Sequence, residues 1–475
     1  MSFLAYDLTF LGVFVILLVI FLYIKRKNIK REGLLLLYRT NWGIKLIHRI
    51  GEKYKKTLKV LSYISIGIGY LLMAGMLYLV GEIVWLYVFN ANAVRAIKIP
   101  PITPLIPYLP QIFNLNFLPP FYFTYWIVII AIIAVTHEFA HGIFAARNKI
   151  KIKNTGFGFF PFFLPIFLAA FVELDEKKMA EKKTFDQLSV LSAGTFANVL
   201  TGIFFFVILI IFFSLAFAPA GVSFDAYPSA LVNMSSITAI GNISLNNPSY
   251  QQILNSLNNT GLNEITTTNV NYVASKSFII QQKGSSQLIL YEDAPAVRAN
   301  LESVILDING QKVTSTQELA NLIHGYSPGE NVTFTVLNNN SEPYNRTISL
   351  GQNPDNQSQS WLGIGFYQPS NQGILANFIS TLSSFKRNNI YYASVIGDGG
   401  IFIYNLLWWL IIISFSVALV NMLPMGIFDG GRFFYLTVLA ITKKENVAKW
   451  TFKIATYLFL FLLFVVMFFW VLYVR

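Results

Sequence analysis

The chain has 475 residues, 55% of them hydrophobic and only 12% charged, and its mean hydropathy is +0.54. A soluble globular domain carries about 25% charged residues, so the composition excludes that class and describes an integral membrane protein. Cysteine is absent, which removes disulfides, iron–sulfur clusters and thiolate ligands and leaves any metal to His, Asp or Glu.

Six apolar runs reach the ~20 residues that a membrane-crossing helix needs: approximately 5–24, 61–89, 121–146, 188–217, 401–423 and 451–474. The first has its basic residues after the apolar run and no small-residue cleavage site, so it reads as a retained anchor with its N-terminus outside. Segment 25–59 follows, with twelve Lys/Arg against Glu32 and Glu52. It holds most of the formal net charge of +12 and reads as a cytoplasmic loop facing anionic lipid, with no nucleic-acid partner. Pro100 to Pro120, with seven prolines, is expected as an external loop packed at the interface. Gly156 to Leu174 is apolar but interrupted by Pro161 and Pro165. It is too short to cross as a regular helix, so a re-entrant hairpin shielded by protein is expected.

Segments 147–187 and 432–453 are basic on balance and read as cytoplasmic, whereas residues 219–390 hold seven basic and ten acidic side chains. That stretch also contains the Asn-x-Ser/Thr sequons, at Asn233, Asn242, Asn258, Asn331, Asn339, Asn345 and Asn356, which supports an external location. It has β character and an internal echo. The sequence from Pro228 recurs from Pro295, 67 to 68 residues on, and each copy runs into a helical stretch, Tyr250–Leu257 and Thr316–His324. The second copy resembles a PDZ module, with Val304-Ile-Leu-Asp-Ile-Asn-Gly310, Ser327-Pro-Gly-Glu330 and a closing Leu362-Gly-Ile-Gly-Phe366. The first is more divergent, and a tandem pair stands beside a single module with a long insertion.

Chemistry concentrates in the third run, at His137-Glu138-Phe139-Ala140-His141. The chain has four histidines, the others being His48 and His324, so half of them fall in one helical turn. A charged group in hydrocarbon costs roughly 2.5–3.5 kcal/mol on insertion scales and needs compensation there. Residues four apart share a helix face, so His137 and His141 can hold one metal ion. Glu138, on the adjoining face, can then act as base for an attacking water.

Catalytic zinc usually takes three protein ligands and keeps one position open. The acidic candidates near membrane depth are Glu82, Asp398 and Asp429. The first two lie toward the external side, while the third run heads inward and leaves its His pair about 15 Å from the cytoplasmic interface. Asp429 is on that side, and Pro424, Gly430 and Gly431 let the chain fold back toward the metal. Asp398-Gly399-Gly400 shares the triplet but lacks the upstream Asn and Pro, and reads as a turn.

HEFAH in one span, Gly194-Thr-Phe-Ala-Asn198 in the next, and Asn421 to Gly431 as N-x-x-P-x-x-x-x-D-G-G together resemble the site-2 protease family of intramembrane zinc metalloproteases. The resemblance covers about 121–217 and 401–440 and extends to the PDZ-like insert between them. It implies one zinc ion held by His137, His141 and Asp429, with Glu138 as general base. It also implies that Asn421 holds the substrate or polarises its carbonyl, with Asn198 in support, and that the hairpin at 156–174 takes the substrate as an added strand. Phe428 departs from the Leu that commonly precedes Asp-Gly. Other readings stay open: Gly194 and Asn198 also suit a small-residue packing face with a polar contact, and Asn421 a cap on the broken helix. A membrane-anchored protease of the prenyl-protein or quality-control type would need a downstream Glu ligand, for which the chain has no convincing candidate. A receptor or scaffold acting through its PDZ-like region would not need Glu138.

The expectation is therefore a multi-span α-helical membrane protein of about six transmembrane helices, with a re-entrant β-hairpin and an extracytoplasmic α+β PDZ-like region. Its divisions are an N-terminal pair of spans with basic linker and Pro-rich loop (1–120), the first half of a catalytic core (121–218), a divergent PDZ-like module (219–290), a PDZ-like module (291–370) and the second half of the core (371–475). The expected activity is zinc-dependent cleavage of transmembrane segments of other membrane proteins. The expected location is the cell membrane, with the site toward the cytoplasmic half and peptide ends as partners of the PDZ-like region.

Overall fold

The computed structural model describes residues 3–32, 35–97, 99–101, 105–113, 115, 118–159, 168–268, 270–338, 342–366, 380–381 and 383–474. They form two compact units, one made by the chain up to Phe212 and from Ile401 onward, the other by Phe213–Gly400. Asn339, Pro161 and Pro165, and parts of the Pro-rich loop, lie outside the described residues.

The first unit opens with α1 (Phe3–Ile24), apolar all round except for Asp7. The basic segment after it is not a plain linker. Ile29–Glu32 (β1) and Leu35–Thr40 (β2) pair antiparallel, and Ile44–Lys53 forms an amphipathic helix, α2. Ile47 of α2 is fully buried against Ala146 and Ile152, so the basic residues decorate an element whose apolar side is packed. Next come α3 (Lys55–Phe89) and α4 (Phe123–Arg147), the helix that carries HEFAH. The cap position of α4, Tyr122, offers no side-chain acceptor to the first turn. Asp7 supplies one from α1: its carboxylate accepts Phe123 N at 2.8 Å, Thr124 N at 3.0 Å and the Tyr108 hydroxyl at 2.6 Å. This satisfies donors that a helix start leaves open, and explains how a carboxylate only 2% exposed persists in an apolar helix.

Ile152–Phe159 (β3) and Leu168–Leu174 (β4) pair antiparallel, while the residues joining them lie outside the described set. With β1 and β2 they make one sheet in the order β1-β2-β3-β4. The Arg39 guanidinium ties its two sides together, with Nη2 2.5 Å from Glu32 and Nε 3.0 Å from Glu173. Thr184–Ala216 (α5) then presents Ser189, Ser192, Ala193, Thr195 and Asn198, all fully buried. Small side chains let backbones approach closely, and the Ser192 hydroxyl donates to that of Ser65 on α3 at 3.1 Å.

Among the described residues the second unit contains two six-stranded sheets, each with its own apolar core, and a two-stranded one that pairs Gly351–Gln352 with Ser360–Trp361. The strands of the two larger sheets are β5 (Phe217–Ser223), β6 (Ser229–Asn233), β7 (Ile237–Ile240), β8 (Ile243–Ser244), β9 (Leu262–Thr267), β10 (Asn271–Ser275), β11 (Gln287–Glu292), β12 (Val304–Ile308), β13 (Gln311–Lys312), β14 (Asn331–Leu337), β15 (Pro343–Ser349) and β16 (Ile390–Ser394). Helices α6 (Tyr250–Ser256) and α7 (Thr316–His324) accompany them. The repeat seen in sequence is also a repeat of path: β7-β8-α6-β9-β10 matches β12-β13-α7-β14-β15. Each first strand pairs with the strand after the helix, and the pairing slips at equivalent points, between Ile237 and Ala239 and between Ile305 and Asp307. Each helix is capped by a serine, Ser249 accepting from Gln252 N and Ser315 from Glu318 N, the Ser-x-x-Gln/Glu start signal. The boundaries differ from the expected 219–290 and 291–370. Phe217–Ser223 pairs with β12 and β16, so the second sheet draws strands from both ends of the insert.

The chain returns to the first unit through α8 (Asp398–Asn421), followed by α9 (Asp429–Thr442) and α10 (Glu445–Val474). Asp398 opens α8 instead of lying in a free turn. Among the described residues six helices, α1, α3, α4, α5, α8 and α10, are long and apolar enough to cross a membrane.

Candidate metal centre

His137 and His141 occupy successive turns of α4 and are each only 8% exposed. Asp429 reaches them from the first residue of α9. Pro424 cannot donate to a helix ladder, so α8 ends and the chain turns through Met422–Phe428, with Phe428 N bonded to Met425 O at 3.1 Å. Gly430 and Gly431 lie so close to the backbone of Met422 and Met425 that neither position has room for a Cβ. That close approach brings the Asp429 carboxylate to the imidazoles. His137 Nε2 and His141 Nε2 are 3.0 Å apart, and Asp429 Oδ2 is 3.3 Å from the first and 3.2 Å from the second.

Two nitrogens and a carboxylate oxygen converging within 4.8 Å of one another are a donor set for a divalent ion of the zinc type. The outer ring nitrogens fit that assignment. His141 Nδ1 is 2.6 Å from Val190 O; a carbonyl only accepts, so Nδ1 carries the proton and Nε2 keeps its lone pair. His137 Nδ1 is 3.0 Å from the fully buried Asn198 amide, whose Oδ1 has no partner. Turning that amide over lets Oδ1 accept from His137 Nδ1–H and leaves the second Nε2 lone pair facing inward, the arrangement of a metal-ligating imidazole. Gly194 completes the cradle, because a Cβ there would stand 2.5 Å from His137 Nε2 and nearer still to that of His141.

Glu138 lies beside this cluster, and its Oε2 accepts the backbone N–H of Val172 on β4 at 2.9 Å. Glu138, His141 and Asp429 line one cavity of about 700 Å³, together with residues 169–174 of β4. Its remaining wall mixes charged groups, Glu32, Arg39, Lys153, Glu176 and Arg432, with apolar ones such as Leu37, Met179, Leu191 and Phe428. Burial pushes the Glu173 carboxyl up, but hydrogen bonds from Asn154 and Arg39 outweigh it and hold the group below its ordinary 4.5. Arg432 pairs with Glu176 at 3.0 Å and so joins α9 to the segment after β4.

Of the sequence-predicted residues, His137, His141, Glu138 and Asp429 are thus brought together, and Asn198 stands behind His137. Asn421 is not among the residues of their cavity. It lines a second cavity of about 460 Å³, largely apolar, with Leu105, Phe121, Trp409 and Val417. Sequence reasoning missed the Val190 carbonyl and the Val172 amide, which no motif can signal because every residue has the same backbone. It also missed Asp7, although a lone carboxylate in an apolar run is a signal in itself.

The sequence profile of peptidase family M50 matches residues 125–466. The chain is 24% identical over 165 residues to a "Zinc metalloprotease RasP" of Geobacillus kaustophilus, a match covering 30% of this chain and 38% of that protein. It is 37% identical over 84 residues to a "Probable periplasmic serine endoprotease DegP-like" of Halomonas elongata, covering 17% of this chain and 18% of that protein. The chain thus spans less than two fifths of the length of either relative.

Proposed function

The chain belongs to peptidase family M50, and from that premise we propose that it is a zinc-dependent intramembrane endopeptidase that cleaves transmembrane segments of other membrane proteins. The observation that carries this reading is the convergence of His137, His141 and Asp429, with Glu138, His141 and Asp429 lining one cavity. His137, His141 and Asp429 would hold a single zinc ion. Bound there, zinc supplies Lewis acidity, which makes a water nucleophilic near neutral pH and polarises a carbonyl. Glu138 takes the proton of the water whose oxygen bonds to the carbonyl carbon. When the carbon–nitrogen bond breaks, Glu138 delivers that proton to the departing amine. Asn198 and the Val190 carbonyl hold the two imidazoles in the tautomer that faces the ligand site.

A transmembrane helix satisfies its own backbone, so the substrate unwinds before cleavage. The outer edge of β4 offers its freed groups a strand partner. Two features support this: β4 ends the sheet order, and residues 169–174 line the cavity of Glu138. Asn421 would meet the substrate from the apolar cavity along α8. The second unit would act as a tandem PDZ-like filter that admits substrates or senses exposed peptide ends, a reading supported by its repeated strand–helix path and matching register slips. The six apolar helices describe a multi-pass membrane protein. Basic charge at 25–59 and its scarcity at 219–390 support a cytoplasmic-side site and an external second unit.

The test incubates the purified full-length protein with a tagged single-span substrate, with and without a chelator, alongside Glu138→Gln and Asp429→Ala. Cleavage is expected only in the metal-replete wild type. Glu138→Gln should keep its zinc by elemental analysis, and Asp429→Ala should lose it. Full chelator-sensitive cleavage by Glu138→Gln would refute the mechanism, and undiminished zinc in Asp429→Ala would refute the ligand set.

A further inference from the structure

The hydrogen bond between Val172 and Glu138 links the edge strand to the base, and its place in the strand register has a consequence for where a substrate is cut. In β4 the register pairs Thr155 with Val172, Phe157 with Ala170 and Phe159 with Leu168. The Val172 N–H points away from β3, since it is donated to Glu138 Oε2 at 2.9 Å. Antiparallel strands alternate between residues that bond to the partner and residues that face outward. Leu168, Ala170 and Val172 therefore share the outward phase. Of these three, Val172 has its donor already engaged by the carboxylate.

We infer that the Val172 backbone amide is a positioning group that orients Glu138 and closes the strand ladder, so that the bond cleaved is set by pairing at Ala170. This deepens the proposed proteolysis and rests on its strand-addition reading. A substrate strand pairs with Leu168 and Ala170 and finds no free donor at Val172. It leaves the edge there, and the peptide bond carried past Ala170 arrives at Glu138 and the His137–His141–Asp429 set. One hydrogen bond thus does two jobs. It fixes the base at the point where the ladder ends, and it keeps the substrate from sliding along the edge. Neither role depends on the identity of the side chain at 172, only on its N–H.

Two changes to full-length enzyme delete that donor. Val172→Pro removes it genetically, and proline is tolerated on an edge strand where its nitrogen faces outward. Replacing Val172 by its α-hydroxy acid swaps the N–H for an ester oxygen with the side chain unchanged, and decides the matter if the proline variant fails to fold. A single-span substrate with a mapped cleavage site, analysed by mass spectrometry, reports both rate and position, with zinc content measured in parallel. The expected result is intact zinc binding, little change in KM, a kcat lower by about 10- to 100-fold and cleavage spread over neighbouring bonds. Wild-type kcat at the original bond in the ester variant would overturn the inference. Ala170→Pro, which removes the donor offered to the substrate, separates the two readings: it should raise KM. An unchanged KM would sink strand addition, and the register claim with it, whatever the Val172 variants do to kcat.

Discussion

Replacing Gly194 by alanine puts the metal centre to a quantitative test. A Cβ at this position would stand 2.5 Å from His137 Nε2 and closer to His141 Nε2. Non-bonded carbon and nitrogen settle at about 3.5–4.0 Å, so each imidazole must retreat on the order of 1 Å. A metal site tolerates about 0.2 Å in its ligand distances, so the displacement is several times what coordination allows. Disturbing the groups that merely orient a ligand already costs about 10- to 100-fold in affinity, and moving both ligands should cost at least that. The stability of the metal-free protein should change far less. Alanine gains about 1 kcal/mol of helix propensity over glycine, against about 1–3 kcal/mol for overpacking, leaving a net loss of about 0–2 kcal/mol. Zinc titration by elemental analysis or a competing chelator, with thermal unfolding of the metal-free form, reads the two quantities separately. A Gly194→Ala protein that binds stoichiometric zinc with unchanged affinity and cleaves normally would refute the geometry argued for the centre.

The remaining expectations concern groups that hold the site in place. Asn198→Ala should weaken zinc binding by about 10- to 100-fold by freeing the His137 ring, whereas Asn198→Asp, which keeps an acceptor facing Nδ1, should recover much of it; equal affinity in all three forms would exclude the proposed amide orientation. Asp7→Ala should leave the Phe123 and Thr124 amides without their acceptor at a cost of about 1–3 kcal/mol per group, seen as a lower unfolding temperature, and a wild-type midpoint would show that the cap is dispensable. Because the fold holds Glu173 below 4.5, its stabilisation is complete above that pH and fades as the pH falls through the lower folded value. Wild type and Glu173→Gln should therefore differ in stability at pH 7 and converge as the pH falls below the lowered folded value. A difference that persists in acid would mean that the carboxylate is not the cause.

The three candidate ligands and the candidate base are legible in sequence in different ways. His137, Glu138 and His141 are read from helical spacing alone. Asp429, 288 residues beyond His141, emerges only by elimination, from the few acidic groups near membrane depth and the side on which each lies. The six spans are legible because hydropathy is summed over contiguous residues, and the repeat in the insert because copies share side chains in order. The basic segment misled. Its charges are conspicuous, whereas the partner of β2 is β3, with Leu37 opposite Gly158 and Arg39 opposite Gly156, and strand pairing at such separation leaves no local mark. For the same reason the expected boundary at 218/219 cuts through Phe217–Ser223, whose Val222 and Ser223 pair with Ile305 and Val304 of the second copy.

Sequence by itself determined the class of the molecule, its spans and the chemical identity of its reactive side chains, because these depend on residue type and short-range period. Tertiary structure alone decided that Asp7 caps the HEFAH helix, that the linker completes the sheet beside the cavity, that Asn421 lines a different cavity, and that the amide of Val172 meets Glu138 and the carbonyl of Val190 meets His141. Those are matters of backbone placement and of contacts between remote segments, and each becomes defined only when the apolar faces have packed.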